Sequence, residues 1–308
     1  MAKPSLVSKL GRPMQERLQR HALALQTTYF NHETTETSDL VRIADRVYTF
    51  NWYFDRAIVI ETDEGLVVTD PFSPFLTKAL MQALRSQGID KPCHSVIYSH
   101  FHLDHVRGAG ELGPANVIAH WKCPEYWQDF DASATADILP PTRLVDGDVS
   151  LTIGDVHVDL LYLGLSHTDT LYAIFVPGDG VLYAPDTVGV GVFLPTGGVS
   201  LYTPGYFKAL DRMAGLDFTT FVGSHFGWGS KEDFLAAVEH QSDIREWVRE
   251  ALRKHEGPIS PFQDRKILLA IYDDVYPRIK AKYSSLHGFD TQALFAVITA
   301  FTSEYVGN

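Results

Sequence analysis

Short apolar runs separated by turn residues fill the middle of the chain. The segments RVYTFNWYF (residues 46–54) and RAIVIETD (56–63) are rich in aromatic and β-branched residues, and Glu64–Gly65 leads from the second run into LVVTDP. This pattern predicts strands joined by a hairpin turn. The next segment, FLTKALMQALRSQG (75–88), repeats apolar residues at helical spacing and ends at a glycine, which predicts a helix.

The strand pattern continues after this helix. Further runs of strand type are HSVIYSH, ANVIAH, VSLTIGDVHVDLLYL, LYAIFVPGDG, VLYAPD and TTFVGSH, and a helical segment, TPGYFKALDRMAG, lies between the last two. Strands in this irregular order, interrupted by single helices, favour an α/β (α+β) fold over a doubly wound parallel sheet. We expect a four-layer αββα sandwich of two mixed β-sheets with an added C-terminal helical segment.

The two ends of the chain differ from this middle part. We expect residues 1–40 to form an N-terminal arm, residues 41–229 the αββα domain and residues 230–308 a C-terminal helical extension. Ser230 and Asp233 form a helix-capping signature at the start of the extension. Apolar residues surround much of the last helix, so it needs a second burying surface, either the main body or another subunit. We favour a homodimer contact through the C-terminal helices.

Composition and charge narrow the function classes. Hydrophobic residues make up 45% of the chain and charged residues 21%, as in an ordinary globular protein. The net charge is −12, and no basic patch is evident, so we expect no nucleic-acid partner. With two cysteines, no apolar run of signal-peptide length and no membrane span, we expect a cytoplasmic protein that acts on a small-molecule substrate and does not bind a membrane.

Metal-binding side chains crowd the segment HFHLDH, residues 100–105. His100 and His102 are two residues apart at the end of a predicted strand, so they can point the same way, and Asp104 and His105 fall in the following turn. One tetrahedral ion takes three or four ligands, so this segment nearly fills a site by itself. Further ligands elsewhere would imply a second ion.

Three candidates for these further ligands follow apolar strands, where functional side chains of sheet proteins often gather. They are His167 in SHTDT, Asp186 in YAPD and His225 in GSH. Together with HFHLDH and the upstream segment AIVIETDEGLVVTDP, these segments resemble the metallo-β-lactamase fold superfamily over about residues 42–229. The resemblance extends over five ordered segments and is more specific than the six-residue motif.

The resemblance implies a binuclear site. One metal ion would be held by His100, His102 and His167, the other by Asp104, His105 and His225, and Asp186 would bridge them. Asp70 matches a position that supports the site from the second shell. The chain departs from the family pattern around His167, where Ser166 precedes and Asp169 follows, and we expect Asp169 to be either a second-shell partner or a turn residue.

The resemblance also implies a reaction. Two divalent ions, with Zn²⁺ expected and iron or manganese as alternatives, would give a metal-bound hydroxide at neutral pH. This hydroxide would attack a lactone, ester, thioester, β-lactam or similar ester-like or amide-like substrate, and Asp104 would help to orient it. The alternatives are a mononuclear iron dioxygenase of the persulfide type, a nuclease or phosphodiesterase of the same superfamily, and a non-catalytic metal-binding module.

The loop after Asp186, residues 187–207, mixes glycines with apolar and aromatic residues. We expect Phe193, Tyr202 and Tyr206 to form a substrate wall over the site. The alternative is a plain surface connection.

Overall fold

Two mixed β-sheets form the centre of the protein. The computed structural model describes residues 39–52, 55–113, 115–195, 202–225, 227–255 and 265–306. Residues 1–38 of the predicted N-terminal arm lie outside these ranges. The first sheet has the order β1-β2-β3-β4-β5-β6-β7, with strands Asp39–Arg42, Val47–Trp52, Asp55–Glu61, Leu66–Thr69, Cys93–Ile97, Asn116–His120 and Arg143–Val145. The second has the order β13-β12-β11-β10-β9-β8, with β8 to β13 at Val149–Ile153, Val156–Tyr162, Tyr172–Val176, Val181–Tyr183, Thr220–Val222 and Trp228–Ser230.

Strand direction brings several strand ends to one edge. Strands β1 to β4 pair antiparallel, whereas β4, β5, β6 and β7 run parallel. In the second sheet only β11 and β12 are parallel to each other. Parallel neighbours end at the same edge of a sheet, so the loops after β4, β5, β11 and β12 can meet there.

Helices cover the outer faces of both sheets. The described helices α1 to α8 span Pro74–Ser86, Leu103–Val106, Cys123–Trp127, Ala132–Thr135, Thr203–Ala214, Lys231–His255, Arg265–Tyr283 and Phe289–Val306. Leu76, Leu80 and Leu84 of α1 are buried against the first sheet, and α5 and the first half of α6 cover the second. The predicted αββα sandwich is confirmed.

Burial on both faces explains the apolar runs of the central strands. In β3, Ala57 and Val59 face α1, while Ile58 and Ile60 face the second sheet. A strand covered on both sides loses the alternation of polar and apolar residues, so it reads as one continuous hydrophobic run. These two apolar layers hold the strand ends in place.

The long strand-type run VSLTIGDVHVDLLYL contains a turn. It forms two antiparallel strands, β8 and β9. Gly154, which has φ +56°, and Asp155 make the tight turn between them. A left-handed backbone conformation of this kind suits glycine, whose lack of a β-carbon removes the steric cost.

Helix α6 joins the sandwich to the C-terminal helices. Its residue Phe234 packs with the second sheet, whereas Ile244 and Val248 pack with α7 and α8. The predicted cap at its start is confirmed, because Ser230 N and Oγ donate hydrogen bonds to Asp233 Oδ2 and Asp233 N donates one back to Ser230 Oγ.

The C-terminal helices form a core of their own. Ala296, Val297, Ala300 and Phe301 of α8 are buried within this chain, while Ile298 is 37% exposed. The homodimer contact through these helices stays a prediction. None of the helices in the described ranges combines the length and the apolar composition that crossing a bilayer would require.

Gly108, just after α2, lies where two backbone segments come close together. A β-carbon there would be 1.9 Å from Pro71 O and 2.6 Å from Ser73 O, whereas the same atom on Gly110 would have no neighbour within 4 Å. We predict that Gly108→Ala lowers the free energy of unfolding by about 3 kcal/mol through overpacking. Gly110→Ala should change it by less than about 0.5 kcal/mol.

Urea unfolding of both variants measures this difference. Equal free energies of unfolding for the two alanine variants would contradict the prediction. They would show that the backbone around Gly108 can move to accommodate a β-carbon.

Candidate metal centre

Loops at one edge of the sandwich carry the predicted ligands. His100 follows β5, and His102 is the N-cap residue of α2, which contains Asp104 and His105. His167 lies between β9 and β10, Asp186 follows β11, and His225 follows β12. The structure brings these seven residues into one cluster.

The first group contains His100, His102 and His167. His102 Nδ1 lies 2.9 Å from His100 Nε2 and 3.0 Å from His167 Nε2. Asp186 Oδ2 lies 3.2 Å from His100 Nε2 and 3.3 Å from His167 Nε2. Three ring nitrogens and one carboxylate oxygen therefore point at a common volume.

The second group contains Asp104, His105 and His225. Asp104 Oδ2 lies 3.7 Å from His105 Nε2 and 3.6 Å from His225 Nε2. The two histidine rings are buried almost completely, whereas the Asp104 side chain is 57% exposed. This group therefore opens to solvent on the side of Asp104.

Asp186 stands between the groups. Besides its contacts with the first group, its Oδ2 lies 3.0 Å from His105 Nε2 and its Oδ1 lies 3.2 Å from His225 Nε2. The hydroxyl of Ser224 donates a hydrogen bond to the same Oδ1 at 3.1 Å. One carboxylate thus faces both groups, in the position predicted for a bridge.

The separations fit divalent cations. A tetrahedral ion with bonds of about 2.0–2.1 Å places neighbouring ligand atoms roughly 3.3 Å apart, and the first group shows 2.9–3.3 Å. The Nε2 atom of His105 is buried and makes no hydrogen bond of proper geometry with any described residue, although Asp186 lies close to it. A nitrogen lone pair aimed in this way suits metal coordination, so the residues fit the implied ions.

Asp70 orients one histidine of each group. Its Oδ2 accepts hydrogen bonds from Ser99 Oγ at 2.6 Å and Tyr183 OH at 2.9 Å, and it lies 3.0 Å from His105 Nδ1. Ser99 Oγ in turn lies 2.9 Å from His100 Nδ1. If both histidines donate through Nδ1, each keeps an Nε2 lone pair for a metal ion, which is the usual role of such supporting residues.

Burial and charge set the protonation of the rings. Burial lowers the pKa of His102 to about 4 and that of His100 well below its ordinary value. Both rings are therefore neutral at pH 7, the form that binds metal. Burial also lowers the pKa of His225, but Asp186 outweighs it and raises that pKa to about 9.

Neighbouring charges lower the pKa of Asp186, the carboxylate at the centre of the cluster. Burial raises the pKa of Asp186, but His105 and His225 outweigh this effect and hold the pKa well below its usual range. Asp186 is therefore ionised, with the protonated rings of His105 and His225 supplying the positive charge beside it. A divalent cation bound here would replace those protons and take over that role.

Left-handed backbone conformations mark the same place. The non-glycine residues with positive φ in the described ranges are Asp70 at +38°, Phe72 at +41° and Asp186 at +52°. Such conformations cost about 1–3 kcal/mol each and collect at functional sites. All three residues contact the histidine cluster directly, the two aspartates through their carboxylates and Phe72 through its ring.

Asp169 has partners other than the histidines. Its carboxylate accepts hydrogen bonds from Lys122 Nζ at 2.6 Å and Tyr126 OH at 2.8 Å. Burial raises its pKa, but Lys122 and Tyr126 outweigh this and lower it, so the carboxylate is ionised. Asp169 thus ties the loop of His167 to helix α3.

The predicted substrate wall needs correction at two of its three residues. Phe193 is fully buried, with its ring 4.4 Å from His240 and 5.4 Å from Phe289. Tyr206 is also buried, and its hydroxyl donates to Thr187 O at 2.7 Å. Side chains that solvent cannot reach do not line an open cleft, so both residues serve packing.

Tyr202 remains a candidate for the wall. It is half-buried, and its backbone N–H donates to Ser166 O, next to His167. Its predicted role in substrate contact stays a prediction.

Sequence reasoning missed several supporting residues. Ser99 and Tyr183 donate hydrogen bonds to Asp70. Asp55 lies beside a ligand of the second group, with its Oδ1 3.2 Å from His225 Nδ1. Ser99 and Ser224 each directly precede a predicted ligand, which was the available signal. Asp55 and Tyr183 give no such signal, because they reach the site only through the fold.

Comparisons with known proteins identify the family of this chain and solved structures with the same fold. A family model described as the metallo-beta-lactamase superfamily matches residues 52–258. The chain is 31% identical over 232 residues to the 2,4-dinitroanisole O-demethylase subunit alpha of Nocardioides sp. (strain JS1661), covering 73% of this chain and 68% of that protein.

Two solved structures share the fold. A metallo-beta-lactamase from Pontibacter korlensis superimposes with a TM-score of 0.56 at 17% identity, over 66% of this chain and 99% of its own. A stereoselective inverting sec-alkylsulfatase from Pseudomonas sp. superimposes with a TM-score of 0.68 at 16% identity. That match covers 94% of this chain but 52% of the sulfatase, so the chain spans about half of the sulfatase's length.

The family match covers well over half of the chain and includes strands β3 to β13, whose ends carry the clustered side chains. The chain therefore belongs to the metallo-beta-lactamase superfamily.

Proposed function

We propose that this chain is a metal-dependent hydrolase with two divalent cations, Zn²⁺ being the expected metal. Its substrate would be a small ester-like or amide-like molecule, such as a lactone, ester, thioester or β-lactam. The observation that carries the proposal is the position of Asp186, whose carboxylate lies against both groups of metal-binding side chains. Its Oδ2 is beside His100, His167 and His105, and its Oδ1 is beside His225.

The protein residues have separate tasks in this proposal. Two cations bound here would supply a hydroxide nucleophile at neutral pH and would withdraw charge from the developing oxyanion. Asp104 is the most exposed carboxylate of the cluster, so it can accept a hydrogen bond from attacking water and fix its direction. Asp70 keeps His105 and the Ser99–His100 pair in one orientation.

Apolar side chains beside the ligands favour an apolar substrate. Leu165, two residues before His167, is 44% exposed, and Trp228, three residues after His225, is 40% exposed. Ligand sites commonly combine such apolar walls with a few polar groups. The net charge of −12 further favours a neutral substrate over a polyanion.

The relationship to the O-demethylase subunit supports a second candidate, the hydrolytic O-dealkylation of an activated aryl ether. Water oxygen would add to the ring carbon that bears the alkoxy group. The bond from that carbon to the alkoxy oxygen would then break, and the alkoxide would take up a proton to leave as an alcohol. This reaction uses the same nucleophile and needs electron-withdrawing groups on the ring.

The metal assignment predicts a pattern of losses. The chain purified without added metal should hold two divalent cations, and His167→Ala and His225→Ala should each lose one, because they belong to different groups. Asp186→Asn should weaken the binding of both. Element-resolved mass spectrometry on the purified proteins measures these contents.

His157→Ala is the matched control for these variants. His157 is half-exposed on β9, and its Nε2 lies 3.0 Å from Asp159 Oδ1. Its loss should leave both cations in place. A single iron ion that survives His225→Ala would contradict the binuclear assignment and favour the mononuclear dioxygenase.

The reaction class predicts turnover that depends on Asp104. Asp104→Asn should lower kcat by about 100-fold or more, as expected when a group that orients or deprotonates the nucleophile is lost. The substrate panel should include an aryl ester, a lactone, a thioester, a β-lactam, 2,4-dinitroanisole, a secondary alkyl sulfate and a phosphodiester. Hydrolysis in ¹⁸O-labelled water shows which product receives the new oxygen.

Label in the acid product supports acyl attack, whereas label in the phenol of an aryl ether supports attack on the ring. Turnover of the phosphodiester alone, or oxygen consumption with a thiol persulfide, would contradict the proposed class.

A further inference from the structure

Helix α3 holds the segment between two of the predicted ligands. Phe101 lies between His100 and His102, and its carbonyl accepts a hydrogen bond from Trp127 Nε1 at 2.7 Å. Its ring stacks on Tyr126, with ring centroids 4.2 Å apart and planes 22° apart. The backbone and the side chain of Phe101 are therefore both fixed by α3.

The same helix holds the loop of the third ligand of the first group. The carboxylate of Asp169, two residues after His167, accepts hydrogen bonds from Tyr126 OH and from Lys122 Nζ. The ring of Tyr126 thus contacts the segment of His100 and His102, and its hydroxyl binds the loop of His167.

Two further bonds lock this arrangement. Phe101 N donates to Thr170 Oγ1 at 3.2 Å, which joins the two ligand-bearing segments directly. Tyr162 OH donates to the backbone carbonyl of Asp169 at 2.9 Å. With both segments held in this way, the ring nitrogens of His102 and His167 lie 3.0 Å apart.

We propose that Lys122, Tyr126 and Asp169, here called the α3 clamp, are positioning residues that set the cation affinity of the first group. They do so by fixing the separation of His102 from His167, without touching the cation. This inference rests on the metal assignment of the proposed function and adds residues on which that assignment does not depend.

The clamp should act on one group only. Tyr126 contacts Phe101 and Asp169, and Lys122 contacts Asp169, so the clamp acts on the two segments that carry the first group. The second group is supported instead by Asp70 and Asp55, which lie beside His105 and His225. Loss of the clamp should therefore weaken one cation and spare the other.

The test measures Zn²⁺ affinity by competition with a chromophoric chelator in backgrounds that keep one group each. The His225→Ala background keeps the first group, and the His167→Ala background keeps the second. Adding Asp169→Asn or Tyr126→Phe should weaken Zn²⁺ binding by about 10-fold or more in the first background. Neither change should alter the affinity in the second.

The chain offers a matched control and a rescue. Asp148 makes an ion pair of the same length, 2.6 Å to Arg212 Nη2, and accepts a hydrogen bond from Tyr162 N, but it connects to α5 instead of α3. Asp148→Asn should leave Zn²⁺ affinity unchanged in both backgrounds. Lys122→Met should weaken the first group, whereas Lys122→Arg, which keeps a cation for Asp169, should retain most of its affinity.

The outcomes separate this inference from the proposed function. Unchanged affinity in the first background, or an equal loss in both, would overturn the clamp. A wild-type chain that binds no divalent cation would overturn the metal assignment and the clamp with it. A selective loss in a chain that hydrolyses no substrate would support the clamp and contradict the hydrolase. Should Asp169→Asn fail to fold, Tyr126→Phe and the lysine pair provide the same test.

Discussion

The burial of carboxylates beside imidazoles is the constraint on which the site depends. Asp70 is fully buried and Asp186 is 90% buried as a side chain, and a buried charge is costly unless hydrogen bonds or opposite charge offset it. Asp70 meets this need with Ser99, Tyr183 and His105. Asp186 is surrounded by four histidine ring nitrogens within 3.3 Å. A cation bound between these nitrogens and the carboxylate would offset the buried charge. Binding of the proposed cations and the folding of this edge would thereby be coupled.

Different parts of the fold hold the two groups. The first depends on the end of β5 and on the loop between β9 and β10, and the second on α2 and the end of β12. Asp70 connects them through His105 and Ser99. The segment between α7 and α8 holds the loop after Asp186. Phe193 N donates a hydrogen bond to His287 O, and His287 N donates one to Gly191 O. The C-terminal helices therefore contribute to the site by fixing the chain that leaves its central carboxylate.

Much of this could be predicted from the sequence. The sheets follow from continuous apolar runs such as β3, and the ligand cluster follows from five short segments whose order resembles the family. Phe193 was assigned to a substrate wall because a loop rich in glycine and apolar residues gives no sign of which surface will cover it. The side chain of Phe193 is covered by His240 and by helices α7 and α8. These elements lie 47 or more residues further along the chain.

The role of Asp169 shows the same limit. Its position after His167 indicated either a supporting residue or a turn residue, but its partners Lys122 and Tyr126 precede it by 47 and 43 residues. No local pattern links them, because the contact arises only when β6 and β9 end at the same edge. Side chains that act on a site through another residue are therefore the hardest to predict from one sequence.

This arrangement separates the strength of metal binding from the choice of substrate. Asp70 and the α3 clamp hold the ligand loops from behind, on surfaces that a substrate does not need to reach. Leu165 and Trp228 stand on the exposed side of the same loops. In the proposed hydrolase, a hydroxide nucleophile could attack acyl, aryl or sulfur centres alike, so the exposed side chains would decide which bond is presented to it. Substitutions there can change the substrate while the ligand geometry is retained, which explains how a lactamase and an alkylsulfatase can share this fold.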